Sequence, residues 1–316
     1  MEAWREFLRG KRKRKDVAEF SLNLADNIIL LHRELSNQTY CHGSYQSFRI
    51  NDPKPRQIHK ASVRDRLVHH AVYRVLYSYF DCKFIFDSYS CRQKKGTHRA
   101  INRFREFGRK VYRNHTKTVW VLKCDIKKFF ASIDQVILLD ILRKYISDEK
   151  VMWLLGQIID SYFEKGKNLV GLPLGNLTSQ LLVNIYMNEF DQFVKRELRA
   201  KYYIRYADDF VVLSKDRKYL ENLLPTIERI LEERLKLSLH PEKLFIKTLA
   251  SGIDFLGWVH FPHHRVLRTT TKRRMMKKLR SKEPEAGMLE SYLGLLLHGN
   301  TWKLMKKLDC MLRANE

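Results

Sequence analysis

Cysteine is scarce and unpatterned in this sequence. Cys41, Cys82, Cys91, Cys124 and Cys310 are odd in number, widely spaced and never arranged as C-x-x-C. That argues against a disulfide framework and a zinc ribbon, and it fits a reducing cytoplasm. Long apolar runs are missing too. No stretch approaches the roughly eighteen residues a transmembrane helix needs, and Met1-Glu2-Ala3-Trp4-Arg5 lacks the apolar core of a secretory signal. There is no internal repeat and no low-complexity linker. Acid is in short supply: 35 Asp and Glu stand against 60 Lys and Arg, a formal net charge of +25 over 316 residues. A chain so basic implies a polyanionic partner, nucleic acid first and an anionic membrane surface second. Hydrophobic residues make up 44%, which supplies a core and excludes global disorder.

The length suits one large domain or a few subdomains sharing a core. Residues 1–40 read as helical, with a basic run at Arg9 and Lys11 to Lys15. Asn51-Asp52-Pro53-Lys54-Pro55-Arg56 reads as a loop. Residues 62–80 read as an amphipathic helix with Val63, Leu67, Ala71, Val75 and Tyr79 on one face. Thr118 to Asp125 is strand-like, 134–165 helical, Gly171 to Asn176 a loop, and Ser179 to Leu198 a long helix. Tyr202 to Tyr206 and Phe210 to Leu213 read as short strands flanking Ala207-Asp208-Asp209. A helix over 217–235 follows, then short strands at Leu244 to Ile246 and Ile253 to Val259. The tail from Pro262 reads as helical and basic, with thirteen Lys and Arg against five Asp and Glu. Helices and strands alternate without a regular βαβ period, which favours α+β over a doubly wound sheet.

Three aspartates stand out. Asp125 ends an apolar strand, where a buried carboxylate is costly unless a cation holds it. Asp208 and Asp209 are adjacent like charges between two apolar strands, and a divalent cation is the usual remedy. If those strands share a sheet, Asp125 and Asp208 converge on a Mg²⁺ site with oxygen ligands. Two such ions would clamp the attacking and leaving oxygens of an in-line phosphoryl displacement, the chemistry of a nucleotidyl polymerase. Tyr-x-Asp-Asp alone is a weak motif, and paired aspartates are ordinary turn residues. The order is what carries weight: the Asp-bearing strand, then a Gly-containing loop into a helix, then the Asp-Asp hairpin.

In that order the residues resemble a reverse transcriptase, colinearly from about residue 45 to 260. Asp125-Ile126-Lys127-Lys128-Phe129-Phe130-Ala131-Ser132-Ile133-Asp134 and Tyr206-Ala207-Asp208-Asp209-Phe210 resemble the two catalytic palm motifs. Arg56 to Arg66, and Phe80 to Ile101 with Ser88-Tyr89-Ser90-Cys91-Arg92, resemble finger motifs. Leu239-His240-Pro241-Glu242-Lys243 resembles the motif after the hairpin, and Phe255-Leu256-Gly257-Trp258 the primer-grip turn. Many reverse transcriptases place glutamine before the glycine of Leu172-Pro173-Leu174-Gly175-Asn176-Leu177-Thr178-Ser179-Gln180 and close that motif with Ser-Pro. Leu174 and Ser179-Gln180 here resemble the enzymes of diversity-generating retroelements of bacteria and phages. Lys54-Pro55-Arg56, Asp65-Arg66-Leu67-Val68-His69-His70 and Lys95-Gly96-Thr97-His98 are similar to that group. So is the ending, in which Phe255 to Trp258 are followed by Pro262 and basic helices.

The resemblance implies a right-hand fold of fingers, palm and thumb, with a small antiparallel palm sheet packed on helices. The expected units are a basic helical extension (1–45), fingers (46–117), a palm (118–261) with a fingers insertion near 135–175, and a basic helical thumb (262–316). It implies RNA-directed DNA synthesis from dNTPs on a template RNA with a cDNA primer. Copying would be error-prone at template adenines, and the cDNA would replace part of a target gene. A small basic helical accessory protein is implied as partner. Two Mg²⁺ ions, with Mn²⁺ as substitute, are the implied cofactors. Metal ligands would be Asp125, Asp208, Asp209 and the Ile126 carbonyl, with Lys243 as general acid. Phe130 would exclude a 2′-hydroxyl. Arg56 and Arg64 would hold the triphosphate, beside Leu174, Gly175 and Gln180. Leucine at 174 cannot hydrogen-bond the nucleotide, so wrong pairs would lose less binding energy. Lys272, Arg273, Arg274, Lys277 and Lys278 would track the nucleic-acid backbone. His69-His70 and His263-His264 lack partners at ligand spacing and read as exposed or backbone-bonded. The polymerase motifs fill the chain, so RNase H, integrase and endonuclease units are not expected. A reverse transcriptase of a phage-defence system or retron, and a non-catalytic RNA-binding protein, are the alternatives.

Overall fold

The computed structural model describes residues 1–51, 55–114, 116–163, 166, 168–279 and 287–313, with side chains to 308. Asp52, Pro53 and Lys54 of the Pro-containing loop lie outside the described residues, as does Arg280 of the tail. Helices α1 (Glu2–Phe7), α2 (Lys15–Leu22) and α3 (Leu24–Ser36) open the chain. The hairpin β1 (Gln46–Ile50) and β2 (Arg56–Lys60) follows, then α4 (Val63–Asp81) and α5 (Thr97–Tyr112). The middle runs β3 (Trp120–Asp125), α6 (Gln135–Arg143), α7 (Glu149–Ile159), α8 (Leu177–Gln192), β4 (Tyr203–Tyr206), β5 (Asp209–Ser214), α9 (Arg217–Leu235) and β6 (Phe245–Thr248). A meander of β7 (Ile253–Phe255), β8 (Trp258–His260) and β9 (Arg265–Leu267) leads to α10 (Thr269–Leu279), α11 (Met288–Leu296) and α12 (Trp302–Arg313).

Helices start where a short polar side chain meets free N–H groups. The Asp65 N–H donates to Ser62 Oγ at 3.1 Å under α4, and the Ile137 N–H to Asp134 Oδ1 at 3.0 Å under α6. Asp216 accepts from the Lys218 N–H at 2.9 Å to start α9. The central sheet has the order β4-β5-β3-β6, antiparallel throughout. Leu122, Cys124, Phe210 and Val212 face the core shared with α6, α8 and α9. Val121, Ile204, Val211 and Leu213 face Phe104, Phe107 and Val111 of α5. With both faces covered, these strands read as continuous apolar runs rather than alternating ones. The N-terminal helices pack Trp4, Phe7, Val17 and Leu31 on α4, and the C-terminal unit gathers Trp258, Leu267, Met275, Leu296 and Leu308 against Ile101 of α5.

Three expectations need correction. The predicted face of α4 advances four residues per step against a 3.6-residue turn, so it drifts about 40° each time. By the third turn it has left the core: Val75 is 69% and Tyr79 43% exposed, while Val68, Leu76, Tyr77 and Phe80 are buried. The 134–165 stretch is two helices broken over residues 144–148. The tail does not begin as helix, because β9 first pairs with β8. Among the described residues no helix is long and apolar enough to cross a membrane, and Cys41, Cys82, Cys91 and Cys124 are free thiols.

Candidate active site

Register builds the centre of the site. Asp125, the last residue of β3, stands directly opposite Asp209, the first of β5. Like charges directly across a sheet repel. Asp208 sits on the adjoining turn rather than in a strand, and its carbonyl accepts from the Ile126 N–H at 3.0 Å. Ala207 before it adopts the left-handed region at φ 55°.

The turn rests on a buried ion pair. Arg205 and Asp191 are both fully buried, with Nη2 to Oδ2 at 2.7 Å and Nε to Oδ1 at 2.8 Å. Arg205 Nη1 also donates to the Ala207 carbonyl at 3.1 Å and to Asn184 Oδ1 at 3.2 Å. Tyr203 OH donates to Asp191 at 2.6 Å. The sequence reading passed over both residues. The available signal was an arginine inside the apolar strand leading to the aspartates, where an unpaired cation would be prohibitively costly.

Lysines occupy the carboxylates. Lys243, at the end of the turn Pro241–Lys243, reaches Asp125 Oδ1 at 2.6 Å. Lys123 lies 3.4 Å from Asp209 Oδ2. Burial, then the charge of Asp125, pushes Asp208 above the usual carboxylate range, with Lys243 and Arg56 pulling the other way. Burial pushes Asp209 up to about 7, aided by Asp125 and Asp208 against the pull of Lys123. Asp209 Oδ1 is buried without a hydrogen-bond partner. Among the described residues no three carboxylate, histidine or cysteine groups are gathered tightly enough to enclose a metal. The donor set still fits a hard divalent cation: oxygen ligands, mutual repulsion and one orphaned acceptor.

The remaining predicted residues divide. Phe129 is buried in the core, while Phe130 beside it is half-buried, their rings edge-to-face at 5.6 Å. Arg56 is exposed on β2 within electrostatic reach of Asp208. Arg64 is engaged elsewhere: it donates to Glu34, to Asp65 at 3.0 Å and to the Cys41 carbonyl at 3.1 Å, and stacks over Tyr40. These contacts tie the N-terminal segment to α4. Leu174 is half-buried, and its carbonyl accepts from the His59 N–H of β2 at 2.9 Å. Asn176 Nδ2 donates to the His59 carbonyl at 3.0 Å. Gly175 has φ 113°, and an added Cβ would lie 2.7 Å from Ile58 Cγ2. Gly175 and Gln180 line a cleft of about 380 Å³ with Lys11, Arg14, Lys60 and Arg66, and no aspartate of the centre borders it.

His69 overturns the expectation of an exposed or backbone-bonded ring. It is buried, its Nε2 3.0 Å from His42 Nε2 and its Nδ1 2.9 Å from Thr178 Oγ1. Phe255 and Trp258 are also buried and anchor the meander, so only Leu256 (φ 51°) and Gly257 (φ 83°) form the presented turn. Lys272, Arg273, Lys277 and Lys278 of α10 are exposed, and Arg274 is half-buried.

An antiparallel sheet backed by helices, with carboxylates at one end of its central strands, defines a class: the right-hand nucleotidyl polymerases. Solved structures share this fold. An apo telomerase from Candida tropicalis truncated from its C-terminal domain matches with a TM-score of 0.56 at 13% identity, covering 73% of this chain and 55% of that one. Telomerase from Candida albicans matches at 0.53 and 12% identity, covering 77% of this chain and 51% of that one. The family model for reverse transcriptase (RNA-dependent DNA polymerase) matches residues 50–260, and the chain belongs to that family. It is 28% identical over 294 residues to the protein YkfC of Escherichia coli K12, covering 79% of this chain and 73% of that protein. It is 29% identical over 199 residues to the group II intron-encoded protein LtrA of Lactococcus lactis, covering 61% of this chain but 30% of that protein.

Proposed function

We propose that this chain is an RNA-directed DNA polymerase that copies a template RNA into cDNA with errors concentrated at template adenines, in the service of targeted gene diversification. The observation that carries the polymerase reading is the register that sets Asp125 against Asp209 with Asp208 on the adjoining turn. The diversifying role is supported by the motif around Leu174.

Asp125, Asp208 and Asp209, with the Ile126 carbonyl, would hold Mg²⁺, or Mn²⁺ in its place. A bound divalent cation supplies charge stabilisation at the attacking and leaving oxygens of phosphoryl transfer. Lys243 donates to Asp125 Oδ1 at 2.6 Å. Released from Asp125, its ammonium would give a proton to the departing pyrophosphate. Phe130 would close the sugar side against a 2′-hydroxyl, and Arg56 would approach the triphosphate. Leu174 would hold the nucleotide by shape alone, which weakens rejection of wrong pairs. The units would be the extension (1–45), fingers (46–117), palm (118–261) with a fingers insertion near 135–175, and thumb (262–316). The Leu256-Gly257 turn would meet the primer, and the exposed cations of α10 its backbone. A basic accessory protein would need RNA as a bridge to so basic a chain.

Primer extension on a defined RNA with Mg²⁺, followed by sequencing of every product strand, tests both levels. Asp208→Ala is the blank. Errors concentrated opposite adenine support the diversifying role, and a Leu174→Gln variant with an unchanged error spectrum would remove Leu174 from it. Faithful products keep the polymerase and move it to a retron or phage-defence setting. No product, with or without accessory protein and template RNA, refutes the polymerase reading.

A further inference from the structure

Helix α5 carries charge that its own stability does not explain. Ala100, Ile101, Phe104, Phe107, Gly108 and Val111 bury one face against the sheet and the C-terminal unit. The opposite face presents Arg99, Arg105, Arg109 and Lys110, and Arg113 follows at the left-handed C-cap, all exposed. Glu106 is the helix's one acid, and it is taken by Lys110 at 2.6 Å and Arg103 at 2.8 Å. Arg99, Arg105, Arg109 and Arg113 have no acidic partner among the described residues. Cations at the C-terminal end are favoured by the helix dipole, but Arg99 lies in the first turn, where the dipole opposes it. Arg105 and Arg109 stand at i,i+4, a spacing at which like charges repel, and Arg113 adds its charge at the C-cap. By contrast α9 alternates its charges, with Arg217 paired to Glu221 at 2.7 Å.

More positive charge stands behind the row. Arg265 is buried, bonded through Nη2 to Asn102 of α5 at 2.9 Å, and its Nη1 has no hydrogen-bond partner. Its proton affinity is lowered by burial and then by the charge of Arg105.

Position gives the row its meaning. At the N-terminal end of α5, Thr97 Oγ1 donates to Tyr206 OH at 3.1 Å, beside the aspartates. Further along, Phe107 meets Tyr202 and Gly108 meets Leu249, at the far end of the sheet. Arg99 to Arg109 therefore span about 15 Å at 1.5 Å per residue, with Arg113 just past the helix end, leading away from the aspartates.

We propose that this face of α5 is a second nucleic-acid site, which grips the sugar-phosphate backbone of the template RNA outside the catalytic centre, independently of sequence. The proposal rests on the RNA-templated reaction proposed above. Guanidinium groups suit it because their planar donors match phosphate oxygens two at a time.

The test replaces Arg99, Arg105, Arg109 and Arg113 by glutamine together. RNA binding is measured by filter retention of a single-stranded RNA of about 60 nucleotides as salt rises from about 50 to 200 mM. Extension is measured on a primer–template just long enough to fill the cleft. Losing four phosphate contacts should reduce the log–log salt slope by about 3, since each is worth about 0.7 on single strands. Short-template extension should stay within about twofold. Asp208→Ala should do the reverse, abolishing extension with an unchanged RNA slope, so failure of the polymerase reading is separable from failure of this one. An unchanged slope overturns the proposal, and with it favours an acidic protein as the occupant. An equal loss on the short template also overturns it, by placing the row inside the cleft. If the fourfold variant does not fold, Arg105→Gln with Arg109→Gln should lower the slope by about half as much.

Discussion

Replacing Arg205 by methionine should separate stability from activity. The guanidinium makes six hydrogen bonds: three to Asp191, and one each to Asn184, Ser88 and the Ala207 carbonyl. Methionine fills similar space and makes none of them. Asp191 would then stay buried with Tyr203 OH as its remaining side-chain partner. Removing one partner of a buried pair costs about 3–5 kcal/mol, a fall of roughly two to four orders of magnitude in the folded-to-unfolded ratio. Urea unfolding followed by two probes measures it. Pairing Arg205→Met with Asp191→Leu removes both charges, and stability should return to within about 1 kcal/mol of the native chain. Activity should not return with it. Ala207 would still lack the Nη1 donor that holds its strained left-handed backbone, and such strain persists only while its surroundings enforce it. A single variant destabilised by less than about 1 kcal/mol refutes the assigned energetics. A double variant that regains both stability and primer extension refutes Arg205 as the strut of the catalytic turn.

Other outcomes follow from the same geometry. Gly175→Ala forces a Cβ to 2.7 Å from Ile58 at φ 113°, which costs about 1–3 kcal/mol. It should raise the KM for dNTP more than it lowers kcat, and an unchanged KM would detach this loop from the nucleotide. Gly299→Ala drives a Cβ into the Trp258 ring, so it should lower the thermal midpoint and weaken primer binding together; a normal midpoint would mean that Trp258 does not brace the meander. His69 and His260 are buried neutral, each held down to about 3 chiefly by burial, against 6.5 when unfolded. The folded state thus resists protonation across that window. Their contribution is intact above pH 6.5 and declines as pH falls toward 3, by up to about 1.4 kcal/mol per pH unit for each. His69→Gln should flatten that decline in a urea-midpoint series, and an unaltered slope would exclude His69 as a source.

The fold class and the three aspartates of the candidate site were legible because both leave local marks. Apolar strands covered on two faces read as unbroken runs, and an acid at the end of such a run stands out. Caps at Ser62, Asp134 and Asp216 mark helix starts by chemistry confined to three residues. The errors arose where geometry accumulates over distance. A four-residue stripe along α4 looked apolar in sequence yet rotated out of the core by Val75. Arg64 meets Glu34, thirty residues earlier, a partner that no local pattern announces. The tail read as helix from Pro262 because β9 is three residues long and depends on β8 for its pairing.

The pieces that sequence hid are the ones that fix the site in space. Arg205 and Asp191 are fourteen residues apart, on a strand and a helix, and only packing shows that one clamps the other and the turn above it. His69 and Thr178 are 109 residues apart, yet their bond joins α4 to the start of α8. The Gly175 loop is held to β2 by backbone bonds that no residue type announces. The carboxylates of the candidate site were therefore readable because a carboxylate at the end of a buried strand is expensive in isolation and demands a cation whatever surrounds it. The supporting groups were not, because each is cheap only with its partner present, and the partner's identity is a property of the folded chain. Variants of Asp125 or Asp208 should accordingly abolish turnover while leaving stability intact or improved, since they relieve like-charge repulsion. Variants of Arg205 or Asp191 should cost stability first. Opposite signs of the stability change in these two groups, measured on one urea axis, are what this division of labour requires.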